Sequence, residues 1–197
     1  MPTEQFVRAN LEEAQSALQA LLADHKTIEA ISRAGALLAA TFKNGGRVFS
    51  CGNGGSMCDA MHFAEELSGR FRKDRAGLPA TAISEPGHIT CVANDFGYEF
   101  IFSRYLEAHA KKGDCLLAIS TSGKSKNVLT AAEAAKKIGV KVIGLMGKAD
   151  SPLGTLSDII IATPGGQYAD RVQELHIKTI HIMIELVERE LFPENYK

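Results

Sequence analysis

An excess of charge of either sign is missing from this sequence. Its 197 residues carry a formal net charge of −1, with an isoelectric point near 6.6, so no broad positive field draws in a polyanion. Nucleic acid and anionic membrane are disfavoured as the main partner, whereas a small anion needs only a few local donors. Long apolar runs are missing too. No stretch approaches the roughly 18 consecutive apolar residues of a membrane span, and the opening MPTEQFVRANLEEAQ has no apolar core of signal-peptide length. The expected compartment is the cytoplasm. Cys51, Cys58, Cys91 and Cys115 form no C-x-x-C pair, which argues against a disulfide framework and a Cys-rich zinc site. Their small and apolar neighbours read as reduced, buried thiols. Internal repeats, low-complexity tracts and linkers are absent as well. At 45% hydrophobic the chain reads as one domain over residues 1–197.

What is present is an alternation. Four short apolar runs stand at Val48 to Cys51, Cys115 to Ile119, Val140 to Met146 and Ile159 to Ala162, with a weaker fifth at Pro79 to Ile83. Each is too short for a helix and none alternates strictly, and helix-like stretches separate most of them. Strands covered on both faces of a parallel sheet look like this. The fold class is α/β, with βα units over 47–163. Two helical patterns precede them within 1–44, one striped by Leu11, Ala14, Leu18, Leu21 and Leu22, the other by Ile28, Ile31, Ala34, Leu37 and Leu38. A helix over 169–191 follows, apolar on more than one face, which suits a core or a subunit interface. The run Arg70, Arg72, Lys73, Asp74, Arg75 reads as a solvated surface.

In an open parallel sheet, ligands bind beyond the carboxyl ends of the strands. Two loops there carry chemistry. Gly52-Asn53-Gly54-Gly55-Ser56 follows the first run, and Ser120-Thr121-Ser122-Gly123-Lys124-Ser125 follows the third. Glycines allow close backbone approach, and hydroxyls with the N–H groups of a helix start cradle a phosphate. The second loop ends like a P-loop, but Ala118 stands where its first glycine is required, and no later strand ends in a magnesium-holding aspartate. A monophosphate cradle explains the hydroxyls better than a nucleotide site, and better than simple helix capping. In the next helix, His62 and Glu66 are four apart, which puts an imidazole and a carboxylate on one face, as metal ligands, as an acid–base pair or as a plain surface pair. Along 169–191, Asp170 and Gln173 fit a capping box. His181 interrupts an apolar sequence and needs partners, and His176 falls on another part of the helix.

The segments CGNGGS (51–56), DAMHFAEEL (59–67), AND (93–95), ISTSGKS (119–125) and ADRVQELHIKTIH (169–181) together resemble the sugar isomerase (SIS) domain family, and within it the phosphoheptose isomerases. The resemblance spans essentially the whole chain. It implies a three-layer α/β/α sandwich around a five-stranded parallel sheet, and isomerisation of sedoheptulose 7-phosphate to an aldose heptose 7-phosphate for the lipopolysaccharide inner core. It also implies a homotetramer with active sites at subunit interfaces. By motif, Ser120, Thr121, Ser122 and Ser125 would hold the phosphate, and Asn53, Gly54, Gly55, Asn94 and Asp95 the sugar, with Glu66 and Gln173 also in the substrate set. Glu66 and His181 match the catalytic pair. One zinc per subunit would be held by His62, Glu66, Gln173 and His181, and no nucleotide is implied. The rival reading is a relative of similar length and fold that serves as a non-catalytic binding module in bacterial replication initiation. That relative's pattern implies no Glu and His at the positions matching Glu66 and His181, whereas this chain has both and also keeps Gly55 and Ser122.

Overall fold

A computed structural model describes residues 3–197. Two long helices come first, α1 (Thr3–Ala23) and α2 (His25–Lys43). The break between them follows from Asp24, whose carboxylate accepts from the backbone N–H groups of Lys26 and Thr27 and so caps α2. Then follow β1 (Val48–Cys51), α3 (Gly55–Ser68), β2 (Ala80–Ala82), α4 (Pro86–Asp95), a 3-10 turn (Tyr98–Phe100) and α5 (Ile101–His109). The chain continues through β3 (Cys115–Ser120), α6 (Lys126–Ile138), β4 (Lys141–Met146), α7 (Pro152–Leu156) and β5 (Ile159–Ala162). It closes with α8 (Ala169–Leu191) and a second 3-10 turn, Pro193–Tyr196.

The five strands form one sheet in the order β2-β1-β3-β4-β5, parallel throughout. All six residues of β3 are buried, as expected of a central strand covered on both faces. One face carries α2, α3 and α8, whose Leu38, Phe63, Leu67, Ile180 and Ile184 pack on Leu117, Ile119, Ile143 and Leu145. The other carries α4, α5, α6 and α7, with Phe102, Leu106, Val128, Ala131 and Leu153 on Leu116, Ala118 and Val142. The result is the three-layer α/β/α sandwich.

The two expected N-terminal helices form but differ in burial: α2 is a full member of one outer layer, while α1 buries only Leu21 and leaves Phe6, Val7, Leu11, Leu18 and Leu22 exposed. Three local expectations change. Cys51 and Cys115 are buried, but Cys58 and Cys91 are exposed, because both stand on outward faces of surface helices. The capping box does not form. Tyr168 occupies the cap position of α8 without a side-chain bond, and the Asp170 carboxylate instead accepts from the Arg171 backbone N–H. Finally, Arg75 leaves the solvated run and is buried against Glu188.

Candidate active site

The strand order reverses between β1 and β3, which puts the glycine loop after β1 beside the hydroxyl loop after β3, the usual ligand position in such sheets. The two loops are tied together. The amides of Asn53 and Asn127 exchange two hydrogen bonds of 2.8 Å each, and the Tyr98 hydroxyl donates to Asn53 Oδ1 at 3.0 Å. Gly54, at φ +55°, turns the chain into α3 in a conformation that side chains resist. Gly55 begins the helix against α8, where a Cβ would stand 2.5 Å from Gln173 Nε2. Asn127 and Tyr98 carry no motif, so only the tertiary structure assigns them to this loop junction.

In the hydroxyl loop, Ser120 Oγ and Ser125 Oγ lie 3.0 Å apart. Ser125 holds the N-cap position of α6 yet accepts no backbone N–H. Its hydroxyl is therefore not consumed by capping, and it faces the loop with Ser120. Ser122 Oγ accepts from the Lys124 N–H at 3.2 Å. A cleft of about 230 Å³ is lined by Thr121, Ser122, Lys124, Gly147, Lys148 and Gly165 among others. Both lysines are thus at hand to attract an anion. Asn94 and Asp95 sit in the last turn of α4, exposed, where Asn94 Nδ2 donates to Asp95 Oδ1 at 2.8 Å. Their link to the loops is the Tyr98 turn that follows them.

The second half of the site lies between α3 and α8. His62 Nε2 and His181 Nε2 face each other at 3.0 Å, and Glu66 Oε1 is 3.4 Å from His62 Nε2. The donor atoms of His62, Glu66 and His181 all lie within 4.8 Å of one another, although 115 residues separate Glu66 from His181 in the chain. Two imidazole nitrogens and a carboxylate converging in this way suit zinc. Gln173 stands nearer the start of α8. It precedes His181 by eight residues on α8, about 12 Å along the axis, with its carboxamide against Gly55.

Burial, reinforced by Glu65 and opposed by His62, raises the Glu66 carboxyl above the usual range. Burial, together with His62, Lys178 and Arg72, lowers the pKa of His181. A carboxylate made more basic beside a largely neutral imidazole is equipped to take and return protons near neutrality. Asp59, one turn before His62, is pushed up to about 6 by burial, and its Oδ2 has no hydrogen-bond partner. Asp59 stands in a quoted motif, but only the fold reveals its desolvation. His176, by contrast, points away into the core, fully buried.

Residues 11–147 match the SIS domain family. The chain is 56% identical over 188 residues to the phosphoheptose isomerase of Photorhabdus laumondii, covering 95% of this chain and 97% of that protein. Among solved structures it is similar to phosphoheptose isomerase GmhA from Neisseria gonorrhoeae, with a TM-score of 0.87, 33% identity, and 94% of this chain and 98% of that one covered. A phosphoheptose isomerase from Francisella tularensis superposes with a TM-score of 0.89 at 30% identity, covering 96% of this chain and 100% of that chain.

Proposed function

The chain belongs to the SIS domain family, and on that premise we propose that it is a phosphoheptose isomerase, converting sedoheptulose 7-phosphate to D-glycero-D-manno-heptose 7-phosphate. The observation that carries this reading is the convergence of Glu66, His62 and His181 from two helices, in a fold that also gathers a loop of hydroxyls. Relatives more than half identical over 95% of the chain bear the same activity in their names.

The chemistry follows from the residues. Ser120, Thr121, Ser122 and Ser125 hold the phosphate, so that the other end of the sugar reaches α3 and α8. Asn53, Gly54, Gly55, Asn94 and Asp95 contact the chain of hydroxyls between. Glu66 removes a proton from C1 while His181 delivers one to the oxygen on C2, giving an enediol. His181 then withdraws the proton from the oxygen on C1, and Glu66 returns its proton to C2. Atoms and charge balance, and each residue ends as it began.

His62, Glu66 and His181 are the ligands a zinc ion would use, and it would supply Lewis-acid polarisation of the carbonyl. Metal ligation and base catalysis then compete for Glu66. The proposal extends to a cytoplasmic homotetramer supplying heptose for the lipopolysaccharide inner core. Support for assembly comes from a groove of about 520 Å³ lined by Leu18, Leu22, Ile28, Ile182 and Leu186, apolar and open. Among the described residues, no helix is long and apolar enough to cross a membrane.

The test is aldose formation from sedoheptulose 7-phosphate by the purified protein. Glu66→Gln is expected to lower kcat by about a thousandfold, within the range general base catalysis supplies, with the fold intact by circular dichroism. Near-normal turnover would remove Glu66 as the base.

A further inference from the structure

The charged segment after α3 lies along α8 as a strap. Its Phe71 ring packs on the His181 imidazole, with centroids 5.7 Å apart. Arg72 Nη1 meets Glu185 Oε2 at 2.7 Å, and Arg75 Nε donates to Glu188 Oε1 at 2.8 Å. Positions 181, 185 and 188 share one face of α8, so the three contacts run in register along it.

The last contact differs from the others in being wholly inside the protein, since both side chains are 0% exposed. The Arg75 guanidinium also bonds the backbone. Nη2 donates to the carbonyl of Glu66 itself at 2.7 Å, and Nη1 donates to the carbonyls of Leu67 and Gly69 at 2.8 Å each. Glu66 and Leu67 lie in the last turn of α3 and Gly69 caps it, where a helix leaves carbonyls without internal partners. Glu188 is held from its other side by the Tyr196 hydroxyl, at 2.5 Å from Oε2. One planar fork therefore joins the end of the helix bearing Glu66 to the helix bearing His181. A lysine, with a single ammonium, cannot reach all these acceptors together.

We propose that Arg75, with Glu188, is a positioning residue for the isomerisation: the buried pair locks the last turn of α3 to α8 and so sets Glu66 at its working distance from His181. The inference rests on the isomerase reading above. Arg75 touches no part of the hydroxyl loop, so its loss acts on the proton-transfer step and leaves phosphate binding in place.

The experiment compares Arg75→Lys, Tyr196→Phe and Ile184→Val with the wild type, measuring kcat and KM for sedoheptulose 7-phosphate below the melting temperature of every variant. Arg75→Lys is expected to lose on the order of 10- to 100-fold in kcat, as a misplacement of about 1 Å does, with KM within about twofold of wild type. Ile184→Val, a core change on the same helix, is expected to lower the melting temperature while keeping kcat. Wild-type kcat in Arg75→Lys overturns the proposal, and so does an equal loss in Ile184→Val. If Arg75→Lys does not fold, Tyr196→Phe decides. It leaves the ion pair and removes one support from Glu188, so a kcat lowered severalfold at constant KM supports the clamp and an unchanged kcat overturns it. An inactive wild type would overturn the isomerase reading and this inference together, whereas an active wild type with unaltered variants overturns the clamp alone.

Discussion

At the scale of single residues, two positions report on how tightly the protein is packed. Gly55 starts α3 with no room for a Cβ, because the Gln173 carboxamide occupies that space. Gly55→Ala is expected to displace Gln173 and raise KM about tenfold, the cost of one poorly made polar contact to substrate; steady-state kinetics check it. His176 is fully buried, and neither ring nitrogen makes a well-aligned hydrogen bond, the Met146 carbonyl being its polar neighbour. Burial pushes its pKa down to about 4 from 6.5, with the Met146 carbonyl opposing. The folded protein therefore keeps this imidazole neutral at pH values where the unfolded chain protonates it. Stability contributed this way is present above pH 6.5 and is lost as pH falls toward 4, by about 3 kcal/mol in all. Denaturant titrations at several pH values should show a shallower acid limb for His176→Leu than for the wild type.

At the scale of elements, the site is an agreement between α3 and α8. His62 and Glu66 come from one and His181 from the other, and among the described residues no three donors of a single helix converge in this way. Zinc added to chelator-treated protein should bind one ion per chain. His62→Ala and His181→Ala should each weaken that affinity by more than about a hundredfold, beyond what the loss of an outer hydrogen-bond partner costs. Titration calorimetry with zinc alone reads this without reference to turnover. The pairing of His62 with Glu66 was legible from their spacing, because four residues bring side chains onto one face of any helix. Their meeting with His181 was legible only through resemblance to a family, since no local rule places one helix on another. The hydroxyl loop was readable for the opposite reason: its donors are contiguous in the chain, and a βα junction gathers them wherever the sheet is parallel.

At the scale of the molecule, α1 is the outstanding feature. Twenty-one residues long, it buries a single leucine and presents Leu18 and Leu22 to an open groove shared with α2 and α8. Exposed apolar surface of that extent supports the proposed assembly. The proposed tetramer predicts that Leu22→Asp lowers the assembled mass measured by light scattering, because a carboxylate cannot be buried there unpaired. Retention of the assembled mass would place the interface elsewhere.

The sequence by itself determined the class of fold, the number of strands and the position of the hydroxyl loop, because these depend on the period of apolar residues and on glycine and hydroxyl chemistry close along the chain. It did not determine which polar groups lose their water. Cys58 and Cys91 were expected inside and lie outside, whereas Arg75, in a run of charge that reads as surface, is buried with Glu188. Asp59 and His176 likewise became distinctive only on burial. Desolvation is a property of packing between segments distant in the chain. Only the tertiary structure, by laying the strap of residues 71–75 along α8, decided how Glu66 and His181 are held.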